Sequence, residues 1–149
     1  MINEIMSKEI VFGNTDSSIK DIANLMKTNN IGFIPIKNKD KYVGVITDRD
    51  IALSLVSIKD INDSIKPYMT NNIVYIDYNC NIDDALDIMS KNKIKRLLVK
   101  EKDNTVGILS LSDILNYTNN KNIIETYKAI FYTHDNVLNT LPEIDDFYL

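Results

Sequence analysis

The chain contains a single cysteine, Cys80, and a single histidine, His134. One thiol excludes an intramolecular disulfide, and the natural setting for such a chain is a reducing cytoplasm, which is the expected localisation. One histidine, placed near the C-terminal end, gives no histidine-based triad and no histidine metal cluster. The expectation is therefore a non-enzyme with no catalytic residue, no metal and no required cofactor. A surplus of positive charge is also missing: 17 Lys and Arg stand against 21 Asp and Glu, for a net charge of −4. That balance argues against a nucleic-acid binder, which needs a basic stripe to neutralise phosphates. No apolar run approaches the roughly 18–20 residues that span a bilayer, so no membrane partner is expected. The opening "MINEIMSKEI" carries an early glutamate and no apolar core, and is not read as a secretory signal.

What is present is the composition of an ordinary globular protein, 44% hydrophobic and 26% charged, and a repeat. Sliding the chain so that Met6 meets Met69 aligns Met6–Ala52 with Met69–Leu115 without a gap. Identical pairs run the length of this overlap, among them Ile10/Ile73, Asp21/Asp84, Met26/Met89, Lys39/Lys102, Gly44/Gly107 and Asp50/Asp113. The chain is a duplication. Its expected parts are repeat 1 over 1–56, a linker over 57–68 containing Pro67, repeat 2 over 69–118, and a tail over 119–149.

Each copy has the same grammar. "EIVFG" (Glu9–Gly13) and "NIVYI" (Asn72–Ile76) read as short strands. Ile19, Ile22, Ala23 and Met26, and again Ile82, Ala85, Leu86 and Met89, recur at helix spacing behind the N-cap residues Ser18 and Asn81. "IGFIPI" and "IKRLLV" read as buried strands, with turns at "KNKDK" and "KEKDN" and return strands at "YVGVI" and "TVGIL". A second helix begins at Thr47 and at Ser110. The order is β-α-β-β-α in each copy, an α/β (α+β) fold. A copy this short cannot cover both faces of its sheet, so the two copies are expected to pack as a pseudo-twofold pair through their sheets.

The phrase glycine–x–x–hydroxyl–x–x–aspartate occurs twice, in "VGVITDRDI" and "VGILSLSDI". One meaning is a capping box, in which the hydroxyl bonds the third helical amide and the acid returns to the cap amide. The other is a ligand site, and both remain open on the residues alone.

These phrases, with "MSKEIV", "IGFIPI" and "IKRLLV", resemble the cystathionine-β-synthase (CBS) domain family, whose tandem pairs are called Bateman modules. The resemblance covers residues 1 to about 118. Copy 2 departs from it at Leu98, where the family has the proline that copy 1 keeps as Pro35; Gly13 and Ile76 are looser matches. The resemblance implies two clefts between the paired domains that take adenosine-containing ligands such as AMP, ADP, ATP or S-adenosylmethionine, and a regulatory rather than catalytic role. A carboxylate suits the ribose, because an ionised Asp is purely an acceptor and the sugar offers two adjacent hydroxyl donors. The hydroxyl beside it is expected to bond ribose or phosphate. The adenine wall is expected from the opposite copy. The first cleft then comprises Thr47, Arg49 and Asp50 facing Met69, Ile73, Val74, Ile94, Lys95 and Arg96. The second comprises Ser110 and Asp113 facing Met6, Ile10, Val11, Ile31, Gly32 and Phe33. On this pairing Lys95 and Arg96 make the first cleft the place for a phosphorylated ligand.

Beyond the repeat, "NIIETYKAIFY" places Ile123, Ile124, Tyr127, Ile130 and Phe131 at helix spacing, and "LPEIDDFYL" ends acidic. The tail is expected to pack on the protein's own surface or on a dimer partner, ahead of the alternative that it covers another protein. Ile51, Leu55, Val56, Ile114, Leu115 and Tyr117 form apolar helix faces that imply a homodimer. Two functions follow: a module whose adenosine-ligand occupancy is passed to an effector protein encoded elsewhere, or a ligand-free dimerisation scaffold in which both aspartates are only caps.

Overall fold

The computed structural model describes residues 1–57, 60–118 and 122–131. His134 and the acidic "LPEIDDFYL" lie outside the described residues. The elements are α1 (Ile2–Ile5), β1 (Gly13–Asn14), α2 (Ile19–Asn29), β2 (Phe33–Asn38), β3 (Lys41–Thr47) and α3 (Asp48–Ser54). They continue with β4 (Tyr75–Asp77), α4 (Ile82–Asn92), β5 (Arg96–Glu101), β6 (Asn104–Ser110), α5 (Leu111–Tyr117) and α6 (Asn122–Phe131). Two three-stranded sheets result, ordered β1-β2-β3 and β4-β5-β6. The chain is α/β, with the β-α-β-β-α order repeated.

The chain divides into two compact units that do not coincide with the two copies. The copy-1 unit holds Ser7–Tyr75 and Val106–Ile108, and the copy-2 unit holds Met1–Met6, Ile76–Thr105 and the chain from Leu109 onward. In the copy-1 unit β1 runs parallel to β2 through the crossover helix α2, and β2 returns antiparallel as β3. The connection is only Lys39–Asp40, with Lys39 at φ 55° and its counterpart Lys102 at φ 56°. Left-handed backbone at a lysine costs about 1–2 kcal/mol, and both copies accept it at the same place. The same holds at the ends of α2 and α4, where Asn30 and Lys93 cap at φ 52° and 54°.

The two expected first strands are shorter than "EIVFG" and "NIVYI". In the parallel register Gly13 sits opposite Ile36, so Phe12 would meet Pro35, which has no N–H to give. Copy 2 has Leu98 at that place, and β4 starts one position earlier, at Tyr75. The expected linker is also not a mere connector. Ile65 is fully buried in the core with Ile19, Ile22, Met26, Ile34, Ile36 and Ile46, and its amide donates to the Ser17 carbonyl at 3.0 Å. In the copy-2 unit Leu86, Met89, Leu97, Leu98, Val99, Leu109 and Ile114 are buried. Helix α1, too short to show a period in the sequence, packs on α5, and Tyr117 donates a hydrogen bond to Glu4 at 3.1 Å.

The expected apolar helix faces need two corrections, the first being Ile51, which is half-buried and packs against the copy-1 core. Leu55, Val56, Leu115 and Tyr117 are exposed, but Ile114 is fully buried because it points into the core from the first turns of α5.

Candidate functional site

The two hydroxyl–x–x–aspartate turns fold alike. Thr47 is the N-cap of α3, and its Oγ1 accepts from the Asp50 amide at 3.2 Å. Asp50 Oδ2 in turn accepts from the Thr47 amide at 2.8 Å and the Thr47 hydroxyl at 2.7 Å. At the start of α5, Asp113 Oδ2 accepts from Ser110 N at 2.7 Å and Ser110 Oγ at 2.6 Å, and Ser110 Oγ accepts from Asp113 N at 3.1 Å. The capping box is therefore complete in both copies. It recurs at the other two repeated helices, as Ser18/Asp21 and Asn81/Asp84. What sets the first two apart is burial: Asp50 and Asp113 are half-buried, whereas Asp21 and Asp84 are exposed.

This geometry limits the chemistry available. A carboxylate has about four acceptor positions, and each cap uses two of them, both on Oδ2. Oδ1 of Asp50 and of Asp113 makes no hydrogen bond among the described residues. The Thr47 and Ser110 hydroxyls have spent their only proton on the neighbouring carboxylate. In this arrangement each hydroxyl keeps acceptor capacity for a sugar hydroxyl, and donating to a phosphate would require its O–H to turn away from the carboxylate.

Surroundings differ between the copies. In the copy-1 unit Phe33 sits opposite Thr47 in the β2–β3 ladder, and the Asp48 amide donates to the Gly32 carbonyl at 3.2 Å. Gly32 is close-packed: a Cβ there would lie 2.5 Å from Asp48 Oδ2. Met69 and Thr70 reach the same strand from copy 2. Thr70 and Val45 exchange two backbone bonds of 2.8 and 2.9 Å, and Met69 lies against Gly44. The reciprocal exchange joins Ser7 to Ile108 through two bonds of 2.9 Å. Each copy thus lends its leading segment to the other copy's return strand, which puts Met69 in one unit with Thr47 and Asp50, along with Ile73 and Val74.

In the copy-2 unit the Leu111 amide donates to the Lys95 carbonyl at 2.8 Å, the counterpart of the Asp48–Gly32 bond. Lys95 and Arg96 therefore flank the Ser110/Asp113 turn, and Gly32 and Phe33 flank Thr47/Asp50. The physical reason is the hairpin: a two-residue connection brings the first residue of β2 opposite the last of β3 within one copy. Met6, buried, shares the copy-2 unit with Ser110 and Asp113; Ile94 also lies there, and Ile10, Val11 and Ile31 lie in the copy-1 unit. Arg49 is exposed beside Asp50.

Sequence inspection missed one neighbour of the site. The Lys95 ammonium stands 4.0 Å over the Phe131 ring, at the end of α6. Phe131 is stacked on Tyr127, with centroids 4.2 Å apart and planes at 25°. The i, i+4 aromatic pair was visible in the sequence, but nothing there tied it to a lysine 36 positions earlier. Among the described residues no group of His, Cys, Asp and Glu is placed to hold a metal ion, and no helix is long and apolar enough to cross a membrane.

Comparison with known proteins agrees with the duplication. A CBS domain-containing protein of Bacillus subtilis, YhcV, is 30% identical over 114 residues, covering 76% of this chain and 81% of that protein. An inosine-5′-monophosphate dehydrogenase of Methanocaldococcus jannaschii is 31% identical, but the match covers only 22% of the dehydrogenase. Among solved structures, the CBS domain pair of protein MJ0100 in complex with 5′-methylthioadenosine and S-adenosyl-L-methionine superposes with a TM-score of 0.70. It is 28% identical, over 78% of this chain and 94% of that one. An uncharacterised conserved protein from Pyrococcus horikoshii superposes with a TM-score of 0.73 at 26% identity, over 80% and 92% of the two chains. Residues 2–57 and 58–120 each match the CBS domain, so the chain belongs to the CBS domain family and carries two such domains in tandem.

Proposed function

We propose that this CBS pair is a regulatory protein that binds an adenosine-containing ligand and passes its occupancy to a partner protein. The observation that carries the proposal is the pair of half-buried carboxylates, each with Oδ2 held by its cap and Oδ1 left to accept from a ribose hydroxyl. The complex of MJ0100 with two adenosine compounds supports the ligand class. A charged ligand such as AMP, ADP or ATP belongs at the Ser110/Asp113 turn, which Lys95 and Arg96 flank. The Thr47/Asp50 turn, with the second carboxylate of Asp48 beside it, suits a less charged adenosine compound. The setting is the cytoplasm and the assembly a homodimer, for which the exposed Leu55 and Val56 provide apolar surface.

A second reading has a specific observation in its favour. The same capping box closes α2 and α4, where the acids are exposed and no ligand is expected, so Asp50 and Asp113 could be caps in a ligand-free scaffold. Thermal melting with AMP, ADP, ATP, S-adenosylmethionine, 5′-methylthioadenosine and adenosine separates the two. A ligand at a hundred times its Kd adds about 2.7 kcal/mol of stability, roughly 5–10 °C at this size. No shift with any compound at millimolar concentration leaves the scaffold.

A further inference from the structure

The contact between Lys95 and Phe131 joins the Ser110/Asp113 turn to the tail helix. Helix α6 is anchored independently of it. Ile123, Thr126 and Ile130 are buried, α6 packs along α4, and Asn122 donates to Asp83 at 3.1 Å. Only the last turn reaches Lys95, and it does so with an aromatic face. Among the described residues no carboxylate lies within ion-pair distance of the Lys95 ammonium, so the Phe131 ring, 42% exposed, is the partner that holds it. Lys95 is anchored at its other end as well, because its carbonyl accepts the first amide of α5, next to Ser110. One residue therefore touches both the proposed ligand turn and the end of α6.

We infer that the end of α6 is a latch on the Ser110/Asp113 site: a phosphate arriving there draws the Lys95 ammonium off Phe131, and the exposed Phe131 ring is freed while the buried Ile130 keeps the helix in place. This inference rests on the proposed ligand-binding function and adds its readout. An exposed ammonium–aromatic contact is weak, on the order of 0.5–1 kcal/mol, and a phosphate competes with it through a full negative charge. Coupling between two sites is reciprocal. If the ligand weakens the contact, the contact weakens the ligand by the same factor, and only for ligands that carry the phosphate.

The test uses the full chain and two probes, AMP and adenosine, with calorimetry and with proton–carbon NMR of the Lys95 side chain. In the native protein the ε-methylene protons of Lys95 should be shifted upfield by the Phe131 ring, and AMP should abolish that shift while adenosine preserves it. Phe131→Leu, which keeps an apolar side chain on α6, should remove the shift and tighten AMP by roughly two- to fivefold with adenosine unchanged. In a Lys95→Ala background the same Phe131→Leu change should have no effect on AMP. If AMP binds but leaves the shift in place, and Phe131→Leu leaves its affinity unchanged, the latch is wrong and the ligand site stands. If neither AMP nor adenosine binds native protein at millimolar concentration, the site and the latch both fail.

Discussion

Replacing Asp113 by asparagine and by alanine separates its two roles. The carboxylate closes the cap through Oδ2, which receives bonds of 2.6 and 2.7 Å from the Ser110 hydroxyl and amide, and on the proposed function its Oδ1 would accept from the ligand. An asparagine can set its amide oxygen in the place of Oδ2 and keep both bonds, so the fold should lose only a few tenths of a kcal/mol. The amide nitrogen then occupies the place of Oδ1, where a charged acceptor becomes a neutral donor. Hydrogen bonds to charged groups contribute about 1.5–3 kcal/mol, so AMP affinity should fall by about 10–150-fold. Alanine removes the cap bonds as well. A half-buried Ser110 amide then loses its partner, at about 1–2 kcal/mol of stability, or roughly 2–8 °C in melting temperature. Urea titration measures the first effect and calorimetry with AMP the second. Asparagine with native affinity, alongside an alanine variant that is merely less stable, would refute ribose recognition and leave Asp113 as a helix cap.

Two further outcomes follow from backbone geometry. Gly44→Ala would put a Cβ 2.8 Å from the Thr70 carbonyl oxygen, straining the exchanged strand, and should cost about 1–3 kcal/mol as a lowered urea midpoint; an unchanged midpoint would show that the Thr70–Val45 pairing does not constrain this strand. Lys93→Gly, at a helix C-cap held at φ 54°, should stabilise by about 0.5–1 kcal/mol because glycine occupies that region without steric cost, and a lowered melting temperature would refute it.

Much of this fold was legible because duplication doubles every signal. The spacing of Ile19, Ile22 and Met26 marks a helix face, and its echo in Ile82, Ala85, Leu86 and Met89 removes the chance of coincidence. All of these residues but Ile82 are buried in the structure. The four capping boxes were equally open to inspection, since Ser18–x–x–Asp21 and Asn81–x–x–Asp84 have the spacing of Thr47–x–x–Asp50. The first strands were less legible. Ile10 and Val11 are β-formers by type, yet strand extent depends on the partner, and Pro35 curtails it. The same-copy neighbours of each aspartate were legible but unread. The two-residue turn at Lys39–Asp40 already implies that Phe33 returns beside Thr47, whereas the resemblance to a paired module drew attention to the opposite copy. The Lys95–Phe131 contact joins segments without a common pattern, and no local signal announces it.

The two copies differ where a ligand's charge would be felt and agree where the backbone is constrained. Lys39 and Lys102 share a left-handed turn, Gly44 and Gly107 share a strand position, and the capping acids stay Asp50 and Asp113. Around those acids the residues diverge. Copy 1 places Gly32 under the carboxylate of Asp48, so two acids stand within one helical turn. Copy 2 has Lys95 and Leu111 at the same places, and Leu111 is buried. Screening at physiological salt acts over about 8 Å, so a phosphate at either turn responds to these immediate neighbours more than to the net charge of −4. A neutral adenosine compound would be nearly indifferent to the exchange of Asp48 for Leu111. A nucleotide would not, because the copy-1 turn repels its phosphate and the copy-2 turn offers a lysine. On the proposed function the same scaffold would hold two ligands of different charge, and only the one bound beside Lys95 would have a path to α6.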